Sequence, residues 1–280
     1  MTDGYTDIKQ KLCACAETDS SIRAIIVIGS TVRQNPPADE FSDLDLMIVT
    51  EEPEVWCSGE YPKKLGSVRI AFTEPTLGGG TEYRCIYDAD RDTDMLIFTP
   101  ELFDRALKDG AAGQVLNRGW VLLCDRDGYV QTIPQYVQRR LNPPEMTARV
   151  FRNTVSDFFF HNIWACKKLR RGELWSAKMC IDGYLKERLL VMIEQDSLCR
   201  GVKDVWHDGR FLDLWADEAT LCALKDCFAH YDSADCQKAL LATHRLFARL
   251  AADVAEKKGF AYPHEAEQCA AAYLSAYKVP

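Results

Sequence analysis

The chain of 280 residues lacks several patterns that mark common classes of functional site. No two cysteines are spaced as Cys-x-x-Cys, which argues against a cysteine metal site. The glycines at 78–80 are not followed by the Gly-Lys-Ser/Thr of a P-loop, and no dinucleotide fingerprint, zinc motif or nucleophile elbow occurs. The five histidines show no metal-ligand spacing. We therefore expect chemistry without a covalent enzyme intermediate.

The chain also lacks a surplus of positive charge and any long apolar run. Its formal net charge of −8 argues against general binding of nucleic acid, which needs a basic surface. No segment approaches the ~20 apolar residues of a membrane helix. The amino terminus is polar and acidic, unlike a secretory signal peptide. We expect a cytoplasmic protein with no nucleic-acid or membrane partner, and the sequence does not indicate an oligomeric state.

Cysteine is abundant, with twelve residues. Most lie in apolar contexts, among them Cys85 in an expected strand and Cys180 and Cys222 on expected helices. Buried free cysteine behaves as a small hydrophobic residue. We interpret these side chains as reduced, largely buried thiols rather than metal ligands or disulfide partners.

The most informative pattern is Gly29-Ser30 followed by Asp43-Leu44-Asp45. An apolar run at 24–28 predicts a buried strand before the Gly-Ser turn, and residues 44–49 predict a second strand. Because side chains alternate along a strand, Asp43 and Asp45 point the same way, and paired carboxylates suit a hard cation such as Mg²⁺. The Gly-Ser turn offers N–H groups and a hydroxyl to a phosphate. The motif alone leaves Ser30 equally suited to capping a helix.

A third carboxylate follows on a predicted hairpin of residues 83–87 and 93–98. Asp94 begins the returning strand, and a carboxylate in an apolar strand is costly to bury unless it is paired or metal-bound. Asp94 could complete a metal site or act as a general base. Asp92 shares its face and is a rival for the same place. Arg84 is interpreted as an ion-pair partner of this carboxylate group.

The predicted secondary structure changes near residue 145, from strands with helices to helices alone. We predict strands near residues 23–28, 43–49, 67–73, 83–87, 93–98 and 119–123. Helical spacing occurs at 5–16, 101–108, 145–169, 174–194, 219–230 and 233–258. Asn142-Pro143-Pro144 is the expected boundary, since proline stops a helix. We expect an α/β (α+β) amino-terminal domain over 1–142 and an all-helical domain over 143–280.

The order Gly-Ser, spacer, Asp-x-Asp and third carboxylate resembles the nucleotidyltransferase superfamily that includes DNA polymerase beta. Residues 23–33 and 41–45 are similar to those of the aminoglycoside 6-adenylyltransferases, also called streptomycin adenylyltransferases. Further similarity lies at 119–128, 171–175 and 259–263. This resemblance implies a catalytic domain with a mixed sheet and a helical substrate-binding domain. It also implies Mg²⁺-dependent transfer of AMP from ATP to a hydroxyl of a streptomycin-like antibiotic, with release of pyrophosphate and resistance to the drug.

The resemblance also suggests roles for individual residues. Asp43 and Asp45 would bridge the metal to the triphosphate, while Ser30 and Gly29 would hold its β- and γ-phosphates. Cationic groups must neutralise a triphosphate, and the candidates are Arg33 near the Gly-Ser turn and Lys178 and Lys186 on the expected helix at 174–194. Lys178 and Asp182 are four residues apart and share a helix face.

Two alternatives stay open at the level of sequence. The same fold and chemistry could serve another acceptor, such as a lincosamide, a metabolite or a protein side chain. A non-catalytic, antitoxin-like partner-binding module would keep the fold but lose the chemistry. The net negative charge is compatible with a cationic small-molecule acceptor.

Overall fold

The computed structural model describes residues 4–33, 35–76, 78–88, 90–137 and 145–276. The chain divides into two compact units, residues 1–140 and 141–280. The boundary predicted at Asn142-Pro143-Pro144 lies outside the described residues. Each described cluster of buried apolar side chains lies within one unit.

The first unit is built on a six-stranded mixed sheet, as predicted. Its strands are β1 (Ile22–Ile28), β2 (Leu44–Thr50), β3 (Val68–Pro75), β4 (Thr81–Tyr87), β5 (Arg91–Phe98) and β6 (Val121–Asp125). They lie in the order β3-β4-β5-β2-β1-β6. The pairing of β2 with β5 is parallel, and the other described pairings are antiparallel. Each expected strand is present, with ends that differ by up to two residues.

Helices cover both faces of this sheet. Its described helices are α1 (Thr6–Thr18), α2 (Pro53–Cys57), α3 (Glu60–Leu65), α4 (Pro100–Lys108), α5 (Ala111–Leu116) and α6 (Tyr129–Tyr136). Apolar residues of α1 to α3 form one core with Leu44, Leu46 and Ile48 of β2. Those of α4 to α6 form a second core with Met47 and Val49. Since residues alternate along β2, Asp45 belongs to the second face.

The second unit is helical, as predicted. Its described helices are α7 (Ala148–Arg170), α8 (Leu174–Met179), α9 (Leu185–Cys199), α10 (Leu212–Trp215), α11 (Glu218–Leu224), α12 (Ser233–Lys258) and α13 (His264–Ala276). One apolar core joins them. The Asp232 side chain caps α12 by accepting from the N–H of Asp235 at 2.8 Å, and Gly259 ends it in the left-handed conformation.

Two helix predictions need correction. The helix expected at 174–194 is interrupted by a π-helical turn, Cys180–Tyr184, that contains Gly183, and then continues to Cys199. The helix expected at 219–230 ends at Leu224. Beyond it the backbone of Ala229 bonds to side chains: its carbonyl accepts from Lys178, and its N–H lies 3.4 Å from Asp182 Oδ2. These tertiary bonds replace the hydrogen bonds that would continue the helix.

The cysteine prediction holds only in part. All twelve are free thiols, and Cys85, Cys166, Cys180, Cys227 and Cys236 are buried. Cys222 and Cys269 are exposed on their helices, so the expected burial is wrong for these two. Among the residues that the structure describes, no helix has the length and apolar character needed to cross a membrane.

Candidate functional site

The predicted carboxylates meet at one end of the sheet. β1 ends at Ile28, and a 3-10 turn over Gly29–Thr31 follows it. Asp43 lies just before β2, and Asp45 is its second residue. In the sheet Asp45 pairs with Ile28 on one side and with Asp94 of β5 on the other. Paired residues share a face of the sheet, so this register brings the two strand carboxylates together.

Asp43, Asp45 and Asp94 form a cluster with the chemistry of a cation site. One carboxylate oxygen from each residue lies within 4.8 Å of those of the others, and each residue is half-buried. Three carboxylates held this close repel one another unless a cation or protons lie between them. Oxygen-only donor sets suit Mg²⁺ and similar hard cations. The residues therefore fit such a cation, and their role as its ligands stays a prediction.

Gly29 makes room for this cluster. Its φ of +72° is in the left-handed region, and a Cβ at this position would lie 1.8 Å from Asp45 Oδ2. A side chain here would displace the second carboxylate. Glycine is required at this position both by backbone conformation and by the close approach of Asp45.

Ser30 contacts the first carboxylate. It is buried, and its hydroxyl donates to the Asp43 carbonyl at 3.3 Å and lies 3.4 Å from Asp43 Oδ1. The helix-cap alternative is wrong, because Ile28 is the N-cap residue of the turn and no side chain caps it. The hydroxyl of the adjacent Thr31 is buried and has no hydrogen-bond partner among the described residues. The predicted contact of Ser30 and Gly29 with phosphate stays a prediction.

Asp94 rather than Asp92 completes the cluster. Asp92 is exposed, whereas the Asp94 side chain is 18% exposed. The pKa of Asp94 is raised to about 6, chiefly by burial and then by the like charges of Glu82, Asp43 and Asp92, while Arg84 opposes the shift. Asp94 therefore has a perturbed pKa, as carboxyl groups at catalytic sites commonly do.

Arg33, a predicted nucleotide contact, lies beside the Gly-Ser turn. Its N–H bonds to the Gly29 carbonyl at 3.3 Å, and its Nε donates to the carbonyl of Pro36 at 2.8 Å. In this arrangement Arg33 ties the turn to the segment that leads towards Asp43. Its contact with nucleotide stays a prediction.

Three residues near the cluster were not singled out by sequence. Glu74 and Glu82 contact Arg84, which forms the predicted ion pair with Asp94. Because Glu82 and Arg84 are two residues apart on a strand, the sequence could have placed these two side chains on one face.

Tyr5 is buried, and its pKa is raised to about 12, chiefly by burial and then by Asp92 and Asp43. No pattern in the sequence singles out Tyr5, because its proximity to Asp43 and Asp92 comes from how the chain folds.

Lys178 and Lys186 lie in the second unit and bond within it. Lys178 donates to Asp182, four residues away as predicted, and to the Ala229 carbonyl. Lys186 donates to the Ile181 carbonyl at 2.8 Å and to Thr243 Oγ1 at 3.0 Å, and burial lowers its pKa to about 8. Their predicted contact with nucleotide stays a prediction.

Comparisons with known proteins agree with the resemblance noted in the sequence. A family model described as streptomycin adenylyltransferase matches residues 4–277. An aminoglycoside 6-adenylyltransferase from Campylobacter jejuni is 24% identical over 201 residues, which are 69% of this chain and 66% of the relative. The match thus spans just under two thirds of that relative's length.

Two solved structures are similar over most of the chain. The first is an aminoglycoside 6-adenyltransferase from Bacillus subtilis, at 17% identity and a TM-score of 0.45, covering 97% of this chain and 96% of that one. The second is a nucleotidyltransferase-like protein from Exiguobacterium sibiricum, at 11% identity and a TM-score of 0.39, covering 91% and 78%. Both TM-scores are below 0.5, so neither likeness supports an inference about the site.

Proposed function

Because the chain belongs to the streptomycin adenylyltransferase family, we propose that it transfers AMP from ATP to a hydroxyl of a streptomycin-like aminoglycoside and releases pyrophosphate. The observation that carries this proposal is the cluster of Asp43, Asp45 and Asp94. Asp45 and Asp94 are 49 positions apart in the chain, yet the sheet register aligns them.

We propose that the three carboxylates hold a divalent cation such as Mg²⁺, with Asp94 as the third ligand. When bound, such an ion offsets the negative charge that builds on phosphate oxygens during transfer. The described residues support this role in two ways. Gly29 leaves space for the Asp45 carboxylate, and Ser30 holds the backbone and side chain of Asp43 in place.

A cationic acceptor fits the charge of the chain. The formal net charge is −8. Acidic surfaces raise the local concentration of cationic ligands. Aminoglycosides carry several positive charges at neutral pH. The net charge of the chain thus favours such an acceptor over an acidic one.

Release of pyrophosphate from ATP and Mg²⁺, with and without streptomycin, tests the proposal. Wild-type protein is expected to release pyrophosphate only when streptomycin is present. Asp45→Asn keeps the shape of the side chain but removes its charge, and should lower kcat by about a hundredfold or more. The matched control is Asp127→Asn, which should keep wild-type turnover. Asp127 forms an ion pair with Arg23, at the opposite end of β1 from the Gly-Ser turn.

The other outcomes separate the competing functions. Turnover with a lincosamide, another metabolite or a protein, but not with streptomycin, would retain the chemistry and replace the acceptor. Absence of turnover across such a panel, with ATP still bound, would contradict the proposed activity and favour a partner-binding module.

A further inference from the structure

Arg84 sits on the same row of the sheet as the carboxylate cluster. In the register of β4, β5 and β2, Arg84 pairs with Asp94, and Asp94 pairs with Asp45. The three side chains therefore project from one face, in line across three strands. Arg84 is the next residue on this row beyond the two strand carboxylates.

The Arg84 guanidinium lies among three carboxylates. Its Nε is 3.0 Å from Glu74 Oε1 and 3.6 Å from Asp94 Oδ2, and its Nη2 is 2.9 Å from Glu82 Oε1. Glu82 is 12% exposed and Asp94 is 18% exposed, whereas the side chains of Arg84 and Glu74 are 42% and 43% exposed. A planar guanidinium that bonds in several directions has a fixed orientation.

Arg84 lies closer to the two glutamates than to Asp94. Glu74 and Glu82 are at hydrogen-bonding distance and hold the guanidinium in place. Asp94 is at ion-pair distance only, at 3.6 Å, so its oxygens are not used up by Arg84. The arrangement attracts the Asp94 carboxylate to one side while leaving it able to bind a cation together with Asp43 and Asp45.

We propose that Arg84 is a positioning residue, whose guanidinium, held by Glu74 and Glu82, fixes the Asp94 carboxylate in the cation site. This inference rests on the proposed function for its place in the reaction. Arg84 itself is not required to touch nucleotide or acceptor. Its effect on the reaction passes through Asp94.

The test is a double-mutant cycle read out by Mn²⁺ binding, which does not require turnover. The paired change Glu82→Gln with Arg84→Gln removes one charge of each sign, so the net charge beside the site is preserved. It is expected to weaken Mn²⁺ binding about threefold to tenfold, because Asp94 is no longer held. In an Asp94→Asn background the same pair should change the affinity less than about twofold.

Activity supplies a second measurement on the same proteins. If Arg84 positions Asp94, the paired change should lower kcat about tenfold while the KM for ATP stays within about twofold. The control pair Arg23→Gln with Asp127→Asn breaks an arginine–carboxylate contact elsewhere on the sheet. It should leave both Mn²⁺ affinity and kcat unchanged, and thermal midpoints for all variants show whether the fold is retained.

Two results would overturn the positioning role. One is wild-type Mn²⁺ affinity in the paired variant, and the other is the same loss of affinity with and without Asp94. Both results are Mn²⁺ affinities of the folded protein, so they test the positioning role whether or not AMP is transferred. If the cycle shows coupling but wild-type protein transfers no AMP to any acceptor, the positioning role stands and the proposed function fails.

Discussion

Gly29 shows how one residue without a side chain determines whether the site can exist. Its φ of +72° and the 1.8 Å distance that would separate an added Cβ from Asp45 Oδ2 are independent obstacles to substitution. Gly29→Ala should therefore lower kcat about a hundredfold or more by displacing Asp45. It should also lower the free energy of unfolding by about 1–2 kcal/mol. Steady-state kinetics and denaturant titration measure the two effects.

Gly110→Ala is the matched control for this prediction. Gly110 also has a positive φ, +87°, but apart from its chain neighbours no atom of the described residues lies within 4 Å of an added Cβ. This variant should show the cost in stability without the loss of turnover. Equal kcat values in the two variants would mean that the contact with Asp45 does not matter for transfer.

Residues of the site differ in how far sequence alone could locate them. Asp43 and Asp45 are close in the chain, and strand periodicity alone predicts that they share a face. Asp94 could be proposed as a third carboxylate from the hairpin pattern and the cost of burying it, but its alignment with Asp45 could not be predicted, because the register of β2 with β5 is a long-range property. Glu74 and Tyr5 carry no local signal at all, since their importance comes from which strand or helix packs beside them.

At the scale of elements, Glu194 of α9 lowers the free energy of unfolding when its carboxyl group is ionised. Burial raises the pKa of Glu194 from its ordinary value of 4.5 to about 7, and Asp208 adds like charge. A carboxyl group with a higher pKa in the folded state binds more protons when folded. The free energy of unfolding therefore falls as the pH rises from about 4.5 to about 7.

Glu194→Gln removes this charge and should stabilise the protein above that range. We expect a gain of about 1–2 kcal/mol at pH 8 and no gain at pH 4, after discounting for the exposed part of the side chain. Denaturant titration at both pH values measures it. Glu187→Gln changes an exposed glutamate on the same helix and serves as the control. An equal effect of Glu194→Gln at both pH values would contradict the prediction.

Elements were predicted best where periodicity is long and uninterrupted. Both ends of α12, at residues 233 and 258, were predicted correctly, because the apolar spacing runs between an aspartate cap and a glycine. The π-helical turn Cys180–Tyr184 was missed, because one extra residue in a turn leaves the surrounding apolar pattern almost unchanged. Six further helices were missed: α2, α3, α5, α6, α10 and α13. The first five have eight residues or fewer, which are too few to show a clear period, and α13 is an alanine-rich helix with little contrast between its faces.

At the scale of the whole molecule, the net charge of −8 predicts how salt affects the proposed reaction. Salt screens the attraction between an acidic protein and a cationic acceptor. The KM for streptomycin should rise several-fold between about 20 and 200 mM salt, whereas the KM for ATP should not rise. Initial rates over a salt series measure both. A KM for streptomycin that is flat over this range would show that charge does not contribute to acceptor binding.

The parallel pairing of β2 with β5 has a consequence for how the protein folds. Between these strands the chain forms α2, α3, β3 and β4, so the contact between Asp45 and Asp94 has a large sequence separation. Contacts of this kind form slowly, because a long loop must close first. During refolding, affinity for a divalent cation should therefore arrive with the pairing of β2 and β5, later than the pairings of consecutive strands, and would report that this long-range contact has formed.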